Sequence, residues 1–211
     1  MFRDRIDAGQ RLADTLKKYK DNKNTVVIAI PRGGIIIGYI ISKELNLPLD
    51  VVLTKKLGHP NNPEYAIGAI SLKKIVVHDN RGVGQEYIDD KTNEIQNLLK
   101  KRYQMYYGEK QPLNIRKKTV ILVDDGIATG RTLISSIELL QQEEPEEIIV
   151  AIPVGPKETI RELSGMADKV ICLETHDPFY AIGLYYEDFS QVQDSEVQEI
   201  LKKSKTPSVA S

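Results

Sequence analysis

The chain has one cysteine, no tryptophan and three histidines among its 211 residues. A single Cys172 excludes an internal disulfide framework and any multi-cysteine metal site. It lies in the apolar stretch KVICL, which favours a buried, inert thiol over a nucleophile. An excess of one charge is also lacking: 29 Lys and Arg against 30 Asp and Glu leave a formal net charge of −1. Nucleic-acid binders usually carry a basic excess, so this balance argues against that role while leaving room for a local patch. Long apolar runs are missing too. The longest, Val26 to Ile41, is interrupted by Pro31 and Arg32 and falls short of a membrane span. The N-terminus, MFRDRIDAGQ, has no apolar signal core. The expectation is a soluble, cytoplasmic protein with no membrane partner.

Composition is 41% hydrophobic and 28% charged, as for one globular domain over residues 1–211. Ala8, Leu12, Leu16 and Tyr19 share a helical face and predict an amphipathic helix over 5–19. TVVIAI (25–30), closed by Pro31, predicts a buried strand, and GGIIIGYIISKELNL (33–47) predicts a helix buried on most sides. LDVVLT (49–54) and KIVVHD (74–79) predict strands. Between them, KKLGHPNNPEYAIGAI (55–70) carries two Pro, two Gly and two Asn and predicts an irregular loop of functional length. Ile88, Ile95, Leu98, Leu99, Tyr103 and Tyr106 recur at helical spacing over 86–107. Strands at 119–123, 146–154 and 169–174 then alternate with helices at 131–142 and 157–164, before a last helix at 194–203 and a frayed tail at 206–211. This alternation predicts a Rossmann-like α/β fold: a mainly parallel sheet flanked by helices, with residues 55–115 partly an elaboration. Ligands bind beyond the carboxyl ends of such strands. PRGG (31–34), KKLGHPNNPE (55–64) and DDGIATGRT (124–132) all fall there.

Two adjacent acids at the end of a buried strand, Asp124 and Asp125, need an explanation. A capped turn, with Asp or Thr bonding to free donors at the start of helix 131–142, explains one acid but not two. A receiver domain holding Mg2+ on paired acids would place the pair near the start of its fold, and too little α/β sequence follows it here. A sugar-phosphate site uses everything: carboxylates accept from ribose hydroxyls, and Gly126, Ile127, Ala128, Thr129, Gly130, Arg131 and Thr132 run into a helix whose N-terminus, with the backbone N–H groups of a small-residue loop, suits a phosphate. The segment is no Walker loop, and RGVGQEY (81–87) does not complete a dinucleotide fingerprint.

VILVDDGIATGRTL (120–133) resembles the phosphoribosyl pyrophosphate (PRPP) signature of type I phosphoribosyltransferases. FRDRIDAGQRLA, IPRGGIIIG, KKLGHPNNPEYAIGAI and FYAIGLYYEDF resemble a subgroup of that family with an unsettled acceptor. The resemblance implies the type I phosphoribosyltransferase fold, with a variable hood and a mobile lid loop. It implies transfer of the 5-phosphoribosyl group from PRPP to a small nitrogenous acceptor of the nucleobase kind, with release of pyrophosphate. Asp124 and Asp125 would contact the ribose hydroxyls, and residues 126–132 would wrap the 5-phosphate. Arg131, often small in the family, would either face the phosphate or point to solvent.

Arg32, Gly33 and Gly34 match the family's pyrophosphate loop, which often contains a non-proline cis peptide. Lys55 and Lys56 open the lid, where either can stabilise the leaving group; His59 and Glu64 are weaker candidates. Mg2+ is the implied cofactor, held mainly by substrate oxygens and water, with no direct protein site. The hood would come from 75–115, the N-terminal helix or 174–190. HDPFYAIGLYYEDF resembles a base-stacking segment, with Phe179 or Tyr180 as the ring and Asp177 or Glu187 as readers of an amino group. The alternative is a PRPP-sensing regulator that binds nucleic acid through Lys100, Lys101 and Arg102 or Arg116, Lys117 and Lys118. Helix 86–107 and the N-terminal helix offer surfaces for a homo-oligomer.

Overall fold

The computed structural model describes residues 1–78, 82–108 and 111–204, apart from the side chains of 63 and 64. The expected tail at 206–211, Asp79 and Arg81 lie outside the described residues, as does the Glu64 side chain.

Five parallel strands form the main sheet: β1 (Thr25–Ala29), β2 (Leu49–Val51), β6 (Thr119–Val123), β7 (Glu147–Pro156) and β8 (Lys169–His176). Their order is β2-β1-β6-β7-β8. The chain therefore leaves β1 towards one edge, forms β2, and returns on the other side of β1 as β6. That reversal creates a crevice at the carboxyl ends of β1 and β6. Ala29 lies beside Val123, and Val123 beside Ala151, so the three central strands run level at this end of the sheet.

Both faces of the sheet are covered, and the strands are apolar at successive positions. Val27, Ala29, Ile121 and Val123 join one core, with Ala8 and Leu12 of α1 (Arg5–Thr15) and Ile37 and Ile41 of α2 (Gly34–Leu45). Val26, Ile28, Val120 and Leu122 face a second core, with Leu133, Ile137 and Leu140 of α4 (Arg131–Gln141) and Leu163 of α5 (Lys157–Leu163). The first helix is shorter than the spacing suggests. It ends at Thr15, and a 3-10 turn at Lys17–Tyr19 carries the apolar face to its end. Helix α2 stops where Asn46 turns left-handed, at φ 52°.

The segment expected to be an irregular loop is instead a β-hairpin, β3 (Thr54–His59) and β4 (Asn62–Ser71), extended by β5 (Ile75–Val77). Its breakers do not act throughout. Pro60 and Asn61 occupy the turn, while Leu57, Ile67, Ala69 and Ile70 are buried. Gly68 survives within a strand because any Cβ there would overlap the Val76 carbonyl. Long helix α3 (Gln85–Tyr107) packs beside the hairpin and the last helix and buries Ile88, Ile95, Leu99, Tyr103 and Tyr106, and Tyr87 Oη donates to Gly58 O at 2.9 Å. Leu98, expected on that face, is 49% exposed.

Asp50 on β2 is buried and accepts from Leu113 N at 2.7 Å and Tyr103 Oη at 3.2 Å, fastening the elaboration to the sheet edge. Burial pushes its carboxyl above the ordinary range. The last helix, α6 (Asp194–Lys203), rests Val197 and Leu201 in the first core. No helix among the described residues is long and apolar enough to cross a membrane.

Candidate active site

The loops after β1 and β6 meet in the crevice and are interlocked. Gly34 lies against Asp124, where an added Cβ would come 2.9 Å from the Asp124 Cα. At Gly33 an added Cβ would overlap the Asp125 carboxylate. The two glycines are therefore explained by contact with the acid pair, in addition to any ligand. The peptide bond between Pro31 and Arg32 is cis.

The acids are not equivalent. The Asp124 carboxyl accepts from the Asp125 N–H at 2.8 Å. Burial and the neighbouring Asp125 charge push it well above the ordinary carboxylate range. Asp125 has a cation of its own. Arg5, the first residue of α1, places Nε and Nη2 each 2.8 Å from Asp125 Oδ2. Both side chains are nearly buried, at 9% and 13% exposed. Arg5 also donates to Ser190 O at 2.8 Å and lies 3.9 Å above the Phe189 ring, while Tyr186 Oη donates to Asp125 O at 2.7 Å.

Beyond the acids the chain turns through Gly126 at φ 148° and Gly130 at φ 70°, conformations that favour glycine. Residues 124–133 and Ile182 line a cavity of about 180 Å3. All seven loop residues named from the sequence, Gly126 to Thr132, thus share one wall system with both acids. No side chain caps the N-terminus of α4, which contradicts the capped-turn reading. Arg131 and Thr132 are exposed at this end. Thr159 Oγ1 supports the loop from behind by donating to Ala128 O at 3.2 Å.

Arg32 is not an unpartnered cation between apolar segments. It is 36% exposed, and its Nη1 lies 3.9 Å from Asp194 Oδ2. Asp194 also meets Arg102 Nη2 at 3.3 Å and the Tyr106 hydroxyl. Lys55 and Lys56 are exposed neighbours on β3. Adjacent strand residues point to opposite faces, so the pair is divided and cannot act as one unit. His59 accepts from Asn61 N at 3.2 Å and sits edge-on to Tyr65, which gives it a turn-forming role.

The aromatic segment stacks on itself. Phe179 is stacked on Tyr185, which is stacked on His176, with centroids 5.0 and 4.2 Å apart. Tyr180 is 75% exposed. Ile182, not singled out from the sequence, reaches the cavity beside Gly126. Arg5 was missed as well, although a signal exists. It precedes Ala8 by three and Leu12 by seven, which puts a charged residue on the buried stripe of α1.

Comparison with known proteins agrees with this geometry. A family model described as a phosphoribosyl transferase domain matches residues 3–189. Two Mycobacterium tuberculosis proteins, each named "Putative phosphoribosyl transferase" (MT0597 and Rv0571c), are 33% identical over 209 residues, 97% of this chain. The chain spans 47% of the length of these relatives. The crystal structure of TT1426 from Thermus thermophilus superposes with a TM-score of 0.86 at 34% identity, covering 96% of this chain and 98% of that one. AQ2163 from Aquifex aeolicus shares the fold at a TM-score of 0.52 and 8% identity, covering 96% of this chain and 86% of that one. With the signature segment, the switch-point crevice and these matches together, the chain belongs to the phosphoribosyl transferase domain family.

Proposed function

We propose that the chain transfers the 5-phosphoribosyl group of PRPP to a nitrogenous acceptor of the nucleobase kind. The observation that carries this reading is the continuous wall from Asp124 and Asp125 through Thr132. It joins two carboxylates to a cavity of about 180 Å3 at an uncapped helix N-terminus, which suits a phosphate. Ribose hydroxyls donate to the acids, the 5-phosphate enters the cavity, and pyrophosphate lies along Arg32, Gly33 and Gly34. An acceptor nitrogen supplies an electron pair to ribose C1 and gives up its proton. The C1–oxygen bond breaks, and pyrophosphate leaves with that bond's electrons. The protein contributes mainly positioning and charge neutralisation.

Asp124 and Asp125 offer only carboxylate oxygens beside the ligand, the donor type that suits Mg2+. The ion, held largely by substrate oxygens and water next to these acids, would neutralise charge on the pyrophosphate. Hairpin β3–β4, with Lys55 and Lys56, is the lid that excludes water. Phe179, Tyr180 and Ile182 border the acceptor side. The setting is cytoplasmic, and α3, which exposes Leu98 and Met105, is the candidate surface for a homo-oligomer. The basic clusters needed by a nucleic-acid-binding regulator are partly neutralised, since Arg102 pairs with Asp194 and Arg116 with Glu144.

The test is pyrophosphate release from PRPP with a panel of bases and Mg2+. Turnover with at least one base, reduced about 100-fold or more in Asp124→Asn plus Asp125→Asn, supports the reading; an effect of that size is about 2.7 kcal/mol of transition-state stabilisation. Turnover that survives the double substitution removes the acids from the site. Absence of turnover with every base, together with tight, salt-sensitive RNA binding, favours the regulator.

A further inference from the structure

Arg5 does not itself line the cavity at 124–133, yet each of its guanidinium nitrogens has a partner. Its Nε and Nη2 converge on one oxygen of Asp125, its Nη1 bonds the Ser190 carbonyl, and its flat face covers Phe189. A buried pair of this kind contributes little net stability over an apolar replacement, because both ions must be desolvated. What it does provide is orientation. Both donors fall on Oδ2 of Asp125 and so fix the direction in which that carboxylate points.

The surroundings hold Arg5 in place. Phe2 N donates to Tyr185 O at 2.8 Å, Glu187 N to Phe2 O at 2.9 Å, and Asp188 N to Arg3 O at 2.8 Å. The first residues of the chain are thus laced onto 185–188, and Phe2 is fully buried against Tyr186. Tyr186 in turn bonds the Asp125 carbonyl. The N-terminal turn, residues 185–190 and the second acid thus form one connected unit.

We infer that Arg5 is a positioning residue for the ribose site: through its guanidinium fork it aims the Asp125 carboxylate and ties it to residues 185–190. The inference rests on the reading above that Asp125 accepts from a ribose hydroxyl. A lysine cannot replace it, since one ammonium cannot bond Asp125 and Ser190 in this geometry while stacking on Phe189.

The probes are ribose 5-phosphate, which needs the acid pair, and inorganic phosphate, which needs only the 126–132 loop. Binding is followed by calorimetry or by amide NMR titration of the full chain. Arg5→Met is expected to weaken ribose 5-phosphate at least tenfold and to change inorganic phosphate less than twofold. Ethylguanidinium added to the variant should restore part of the loss. On an Asp125→Asn background, Arg5→Met should cost nothing further. Should Arg5→Met fail to fold, Arg5→Lys serves, with a loss of several-fold expected.

Unchanged ribose 5-phosphate affinity in the Arg5 variant, or losses that add fully to those of Asp125→Asn, would overturn the positioning role and leave the proposed function standing. A wild-type protein that binds ribose 5-phosphate no better than inorganic phosphate would instead remove the ribose reading and the inference with it.

Discussion

The crevice at the ends of β1 and β6 and the hairpin that stands over the sheet edge are built on opposite principles. In the crevice, backbone and side chains are in contact before any ligand arrives: Gly33 and Gly34 press on the two acids, and Arg5 fixes one of them. On the hairpin, both lysines are exposed, and the tip is held to α3 by the Tyr87 hydroxyl. On the proposed reading, the first arrangement pre-organises sites for groups of fixed geometry, a ribose and a phosphate. The second would leave freedom to a segment that, on the same reading, admits and releases ligand. Close packing should therefore make the crevice intolerant of a single methyl group, and the open start of α3 beside the hairpin tolerant.

Gly33→Ala tests the first half of that statement and should give the largest effect. Its Cβ would overlap the Asp125 carboxylate, so either the acid or the 31–34 loop must move. A shift of about 1 Å in a catalytic loop costs on the order of 100-fold in rate, and overpacking of this kind costs about 1–3 kcal/mol of stability. The matched control is Gly84→Ala at the start of α3, where an added Cβ meets nothing within 4 Å. Pyrophosphate-release kinetics and thermal melts of the two variants should separate sharply. Equal tolerance at both positions would break the comparison.

Asp124→Asn should set function against stability. The folded-state pKa of Asp124 is raised above 3.8, so the folded protein retains a proton that the unfolded chain has lost. With more protons bound in the folded state, stability falls as pH rises from the ordinary carboxylate range through the raised value. Asparagine removes that penalty. The ligand-free variant is expected to melt about 2–4 °C above wild type near neutral pH, with the difference shrinking as pH falls towards the ordinary carboxylate range, while PRPP turnover is lost. A melting difference that does not vary with pH would show that Asp124 is not held neutral by its surroundings.

The division between the two regions also decides what could be read from residue order. The sheet was legible because β-branched runs such as TVVIA and TVILV bury both faces, and that leaves little alternative to a central parallel strand. The cavity wall proposed for the phosphate was legible because all its parts lie within 124–133, apart from Ile182. Arg5 and Asp125 are 120 positions apart, and Arg32 and Asp194 are 162 apart, so only folding brings them together. The hairpin was misread for a different reason. Its turn is rich in Pro and Asn, and its apolar residues are spread over two strands in a register that slips at Gly58 and His59. Neither strand alone displays the clean alternation that would announce it.

Tyr87→Phe should give the smallest effect and speaks to the other half of the comparison. The substitution keeps the ring, which is only partly buried, and removes the bond from α3 to the Gly58 carbonyl at the hairpin bulge. A single neutral hydrogen bond contributes about 0.5–1.5 kcal/mol. That is enough to shift a local opening equilibrium of the hairpin several-fold but not to unfold a core. Amide exchange over 54–71 should accelerate by about threefold to tenfold, with exchange in β1 and β6 unchanged. Turnover should fall by no more than about fivefold, because the crevice itself is untouched. Exchange that accelerates in β1 and β6 as well would mean that hairpin and crevice form one cooperative unit, and the contrast between a pre-organised site and a loosely held lid would have to be given up.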